Sequence, residues 1–500
     1  PPPPPPVIFS PLGGGFSAPF DLSLKPGVKG DVIHCTTDGT LPTAASPTCS
    51  TVPISQTTLV RALAVHKNTA SAVFQHTYFE LAADVKDFSS NVPVVIVHML
   101  GAAAPDPSSH DYVPATIAVF DPASGRTKLD GSATYTSRMG FKVRGRSTRY
   151  LDKHSYSLEL WGDDVEERKL PLFGMPADAD WVLYAPYTYD KSLMRNAFIY
   201  DLSNKIGRYA ARTKFCELYV VAGTSAVSQA SYAGVYVFME RLSRGSSRID
   251  VAKLAPTDIA EPNVTGGYIF EQDEADFPNE TFMGAGQTMV WVYPKPADVV
   301  TEQATYLSEQ LDAFARGVPQ SDGVDPTTLL RYDSLIDTSA FIDNHILNMM
   351  PKNPDAFVLS AYFYKDRGGK VCAGPIWDFD LAMGGADPWG DRSREPAAWA
   401  LNSGAGTLFD RTFYAALFTH AEFTSAYWNR LDALLAGPFK AAAFDKTIDG
   451  WAAQLAEAQV RDEARWPQNP AVDYAAEVSA LKTWLAARIT FLNANKGALP

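Results

Sequence analysis

Cysteine is scarce in this chain, with four residues in 500. That count excludes a disulfide-built scaffold, and no Cys-x-x-Cys pair is present to hold zinc or run redox exchange. The eight histidines are scattered without helical ligand spacing, and no His-Glu-x-x-His motif occurs. Also missing are the phosphate loop Gly-x-x-x-x-Gly-Lys-Ser/Thr, the dinucleotide turn Gly-x-Gly-x-x-Gly and the nucleophile elbow Gly-x-Ser-x-Gly. No apolar run approaches the roughly 18 residues of a membrane span. The longest, VPVVIVHML at 92–100, reads as a buried strand. Basic residues are outnumbered, 43 against 56 acidic ones, for a net charge of −13. A general nucleic-acid binder needs a broad basic face, so none is expected. A small anionic ligand remains open, because it needs only a local basic cluster.

What is present is a large folded protein. Hydrophobic residues make up 46% and charged residues 20%, enough apolar surface for a sizeable core. The length implies more than one domain. The chain opens on six prolines, a stiff extended spacer over 1–6, and is expected to act outside the cytoplasm after removal of an export signal. Residues 7–82 alternate polar and apolar, as in TTLVRALAV at 57–65, with turn signals at Gly13–Gly15, Pro26–Gly27 and Asp38–Gly39. That pattern predicts a small β-sandwich. Cys35 and Cys49 bracket a Thr/Pro/Ser-rich loop and are expected to pair, while Cys216 and Cys372 sit in apolar runs and read as buried thiols.

From residue 83 strand-like and helical runs mix. DKSLMRNAFIYDLSNKIG at 190–207, TEQATYLSEQLDAFARG at 301–317 with a Thr cap, and DTSAFIDNHILNMMP at 337–351 read as helices. Beyond 407 the period is helical almost to the end. The fold class is therefore α+β, with a domain over 83–440 and a helical extension over 441–500.

Two stretches carry chemistry. In SRMGFKVRGRSTRYLDKHSYSLEL, at 137–160, six bases stand between 138 and 153 with one acid, Asp152, among them. Strand alternation puts Lys142, Arg144 and Arg146 on one face and Phe141 and Val143 on the other. Guanidinium forks on such a face suit phosphate oxygens. A solvated hairpin that carries charge for solubility fits the pattern equally. In NPDAFVLSAYFYKDRGGKVCAGPIWDFD, at 353–380, two strands joined at Asp366–Gly369 fold back and bring Asp355 toward Asp378 and Asp380. Clustered carboxylates at buried strand ends cost desolvation unless a cation offsets it, and Mg²⁺ prefers carboxylate and phosphate oxygens. Helix or turn capping by these acids is the plainer alternative. Glu240, ending YAGVYVFME, and Glu271 and Asp273, behind GGYIF, read first as strand-end charges.

Residues 9–24, 33–43 and 57–65 resemble the C-terminal β domain of chitobiases and hexosaminidases, which implies an immunoglobulin-like accessory module and a surface polysaccharide as partner. VRGRSTRYLDKHSYSLEL, DWVLYAPYTYDKSLMRNAFIYDLSNKIG, YAGVYVFMERL, GGYIFEQD and KNPDAFVLSAYFYKDRGGKVCAGPIWDFDLAMGGAD, in that order, resemble the CotH kinase family. The resemblance implies a reduced atypical kinase-like core in a secreted or surface bacterial protein. It would transfer the γ-phosphoryl of ATP to protein Ser or Thr, its own included, with Mg²⁺ or Mn²⁺. It assigns Asp355 as the catalytic acid–base, Asp378 and Asp380 as metal residues, Arg144, Arg146 and Lys153 as phosphate-gripping cations, and Glu240 as the partner orienting Lys153. Where ordinary kinases carry a metal-binding Asn five positions after the catalytic Asp, this chain has Ser360. The Gly-rich lid is also missing. A catalytically weak surface scaffold or coat-assembly protein is the alternative. A carbohydrate enzyme is a third, suggested only by the β module.

Overall fold

The computed structural model describes residues 6–468, 471–497 and 499. Five of the six prolines of the expected spacer lie outside the described residues. The chain forms two compact units from interleaved stretches: Pro1–Ala185 with Lys214–Glu240 and Ala453–Val472, and Pro186–Thr213 with Arg241–Ala452 and Asp473–Pro500. Helices and sheets are mixed, as the α+β expectation requires.

The first unit opens with the sandwich. Val7–Ser10, Phe20–Pro26 and Thr51–Ile54 form one sheet; Gly14–Phe16, Phe74–Glu80, Thr58–His66 and Val32–Thr36 lie in the other. Alternation turns Leu22, Leu24, Val52, Ile54 and Val60 into a shared core. The Cys35–Cys49 disulfide is formed, with Cα atoms 5.9 Å apart. Closing a loop of this length stabilises by about 3 kcal/mol in the chain-entropy account.

A closed seven-stranded barrel follows, made by Val94–His98, Val113–Phe120, Tyr135–Arg144, Ser155–Trp161, Asp180–Tyr184, Tyr232–Glu240 and Thr213–Val221. Parallel pairing of Val94–His98 with Thr213–Val221 closes it. Val95, Val97, Ile117, Met139, Phe141, Leu158, Trp181 and Phe238 fill the interior, so it is a packed core and not a channel. Val94 and Ile96 point the other way, into a second cluster with Phe79, Phe120 and Tyr219. Burial on both faces explains why this strand reads as an unbroken apolar run.

The second unit carries a five-stranded sheet in the order Thr281–Gly284, Gln287–Tyr293, Tyr268–Gln272, Ala361–Lys365, Val371–Ala373. The expected hairpin is present, with Phe363 opposite Ala373 and Lys365 opposite Val371. Gly368 takes a left-handed φ of 62° in its turn. Cys372 is half-buried instead of buried, because its strand is the sheet edge. Cys216 is fully buried in the barrel. Helices Arg195–Lys205, Thr301–Gly317, Thr338–Met349, Ala421–Ala436 and Tyr474–Asn495 lie in this unit, Ala441–Leu455 runs from it into the first, and Ala458–Arg465 belongs to the first. Two helix starts differ from the sequence reading. The first begins at Arg195, not Asp190: Leu193 is left-handed at φ 66°, and the Asp190 carboxylate is turned onto the Arg195 N–H at 2.8 Å. Thr301 is the first helical residue and not the cap, a place taken by Val300.

Candidate functional site

The acidic site lies in the second unit, on two segments joined by the hairpin. The turn at 353–360 carries Asp355, and the segment after Ala373 carries Asp378 and Asp380. Asn353 holds them together: its Nδ2 donates to Asp378 O at 3.2 Å, and its Oδ1 accepts the Asp355 N–H at 3.2 Å. The Arg195–Lys205 helix fixes the second segment. Tyr200 Oη accepts the Asp378 N–H at 3.0 Å, Asn196 Oδ1 accepts the Phe379 N–H at 2.7 Å, and Trp377 stacks on Tyr200.

The electrostatics are those of a crowded carboxylate cluster. Asp378 is exposed and Asp355 half-buried, while Asp380 is buried. Burial pushes the Asp380 carboxyl well above the ordinary range, and the charges of Asp378, Asp190 and Asp355 push it further. The expectation that folding brings Asp355 toward Asp378 and Asp380 agrees with this mutual repulsion. Backbone strain gathers here too. Among the described residues fifteen non-glycine positions have left-handed φ, and six of them (Lys352, Phe357, Ser360, Asp378, Met383, Asp391) fall between 352 and 391. Such concentration is characteristic of functional segments that the surrounding fold over-determines.

Several residues of this site were not singled out from sequence. Arg392 Nη1 donates to Asp355 Oδ1 at 2.9 Å while its Nε donates to Asp387 Oδ2 at 2.6 Å, so one guanidinium fixes Asp355 to a buried acid. Arg411 donates to the carbonyls of Pro354 and Ala356, flanking Asp355. Asp190 lies in the same cluster and is engaged by Arg195 and Ser192. A polar cleft of about 200 Å³, lined by Tyr189, Lys191, Arg195, Gly384 and Arg394 among others, opens beside them. Burial raises the Tyr189 phenol, and the charges of Asp380 and Asp387 add to it. The dense charge in DPWGDRSREP, at 387–396, was the available signal for Arg392, and the acid before MRNAF the one for Asp190.

No group of three or more His, Cys, Asp or Glu side chains is arranged to hold a metal among the described residues. The donor set still suits a hard cation. Mg²⁺ keeps several waters and is commonly bound by one or two carboxylates plus phosphate oxygens, and the repulsion at Asp380 is what an added positive charge relieves. Ser360, in the position where ordinary kinases carry the second ligand, gives its N–H and Oγ to Asp273 Oδ2, at 3.1 and 3.2 Å.

His345 supports the turn from below. It is fully buried, stacks on Phe357, and hydrogen-bonds Tyr427 Oη and Leu408 O. Burial lowers its pKa from 6.5 to about 3. The unfolded chain takes up the proton near pH 6.5 and the folded chain resists it to about 3. Stability from this group is therefore complete above that upper value and lost as pH falls through the window. Melting temperature measured from pH 7 to 4 should fall more steeply in the wild type than in His345→Gln. Parallel curves would contradict this account.

In the first unit the predicted basic hairpin is present, with Arg144 opposite Ser155. Its cations are less uniform than the pattern implied. The strand ends at Arg144, and Gly145 at φ 100° turns the chain, so Arg146 lies exposed in the turn and not on the strand face. Lys142 donates to His110 O, Arg149 to Ser109 O, and Arg138 to the carbonyls of Gly162, Asp163 and Asp164. These three bases hold loops. Lys153 is fully buried and donates to Asp462 Oδ1 at 2.7 Å, a partner 309 residues away that the sequence reading did not name. Glu240, its expected partner, is fully buried at the strand end, opposite Trp181.

Comparison with known proteins agrees with this layout. No curated protein matches the chain. A family model for the chitobiase/beta-hexosaminidase C-terminal domain matches residues 11–75, within the sandwich. The model described as CotH kinase protein matches residues 141–492, which run from within the basic hairpin through the acidic site into the last helix. With well over half of its length matched, the chain belongs to the CotH kinase protein family.

Proposed function

We propose that this protein is an exported, ATP-using Ser/Thr protein kinase that depends on a divalent metal. The family match carries the reading, together with the mutual repulsion of Asp355, Asp378, Asp190 and Asp380 within one unit. Arg144, Arg146 and Lys153 neutralise the triphosphate. Asp355, fixed by Arg392, orients the acceptor hydroxyl and takes its proton as the oxygen bonds to the γ-phosphorus and ADP leaves. Asp378 and Asp380 are the residues that would hold Mg²⁺ or Mn²⁺, which when bound neutralises phosphate charge. The acceptor is Ser or Thr of a protein, this chain included, and the sandwich tethers the enzyme to surface polysaccharide. The Cys35–Cys49 disulfide supports an oxidising location.

Label transfer from γ-labelled ATP to the chain itself or to a generic basic protein, with and without metal, tests the reading. It fails if no label moves under either condition. The second reading is a surface scaffold that holds nucleotide and turns over slowly. Engagement of Ser360 by Asp273 favours it.

A further inference from the structure

The helix Ala458–Arg465 is bolted to the barrel strand Tyr232–Glu240 through the strand's backbone. Asp462 Oδ1 accepts the Val235 N–H at 2.7 Å, Trp466 Nε1 donates to Ala233 O at 2.8 Å, and Arg465 Nε donates to Tyr232 O at 2.8 Å. One turn earlier, Arg461 makes two 2.7 Å bonds to the buried carboxylate of Glu217. Gly234 is left-handed at φ 102°, and a Cβ there would overlap Asp462 Oδ1. The glycine of the Gly-Val-Tyr strand thus has a physical reason: it leaves room for the acid. That same oxygen takes the Lys153 ammonium at 2.7 Å, and Lys153 Nζ lies 5.5 Å from the Tyr236 ring centroid.

A buried ion pair is a poor way to gain stability, since desolvating two charges consumes most of their attraction and an apolar pair of the same volume often serves as well. Its use here is placement. We infer that Asp462 is the positioning residue for Lys153, so that a helix from the far end of the chain sets the ammonium that grips the nucleotide. This rests on the reading of Lys153 as a phosphate-binding cation.

The test is calorimetric binding of Mg·ATP to the full chain, with a melting curve for each variant. Asp462→Asn is expected to weaken binding about tenfold, as Lys153→Met does, and the double variant to be no weaker than either single one, because coupled residues are non-additive. Asp462→Glu keeps the charge, shifts it by one methylene and should weaken binding by only about threefold, covering the case in which the Asn variant does not fold. Wild-type binding in Asp462→Asn and Asp462→Glu overturns the inference and leaves the kinase reading intact. Wild-type protein that binds no nucleotide overturns both.

Discussion

Asp355→Ala is expected to lower phosphoryl transfer by about a thousandfold, with melting close to wild type. A positioned acid–base group commonly contributes between about a hundredfold and ten-thousandfold. Asp355 is half-buried and faces Arg392, so its loss creates no large cavity and leaves Arg392 still paired to Asp387. Asp378→Ala should be equally silent, but by another route. Its carboxylate is exposed, its N–H remains on Tyr200, and the defect should appear as a raised metal requirement. Alanine adopts the left-handed φ of 63° at some cost, so Asp378→Asn, which tolerates that region, is the cleaner control. Label transfer in all three variants at the wild-type level would leave only the scaffold reading.

The largest stability effect is expected at Arg488. This residue of the C-terminal helix is fully buried, and burial pushes its guanidinium down to about 9. Four carbonyls receive it: Met349 and Met350 at the end of one helix, and Pro396 and Ala398 in the segment beyond Arg392. Lys352 reaches the same segment through Glu395 O and Ala400 O, and Trp484 through Ser393 O. Arg488→Met fills much of the volume and leaves those carbonyls buried without a donor, at about 1–3 kcal/mol each before relaxation. A net loss of about 3–5 kcal/mol is expected, measured by urea unfolding with the slope checked for two-state behaviour. A loss below about 1 kcal/mol would show that water replaces the guanidinium.

What could be read from the chain was local. The hairpins Tyr135–Arg144/Ser155–Trp161 and Ala361–Lys365/Val371–Ala373 are short in sequence, and period-two alternation with a glycine turn specifies them. Asp355, Asp378 and Asp380 followed because one hairpin links them. What could not be read was which partner each charge finds. The six bases near 145 look alike as a string, yet a loop carbonyl at His110 claims Lys142 and another at Ser109 claims Arg149. Asp462 lies in AQVRDEAR, which by pattern is an ordinary polar helix, and only the close approach at Gly234 reveals its use. The Asp190 start failed for a related reason: the helical period gives no sign that Leu193 turns left-handed or that Arg195 and Ser192 claim the Asp190 carboxylate.

Nucleotide binding by this protein should depend on a metal, on the basic hairpin and on Asp378. Titration calorimetry of ATP with Mg²⁺ against wild type, Arg144→Ala/Arg146→Ala and Asp378→Ala measures that directly. The predicted result is saturable, metal-dependent binding in the wild type, weakened about tenfold or more by each variant. Binding that is absent, or that is the same in all three proteins, would contradict it.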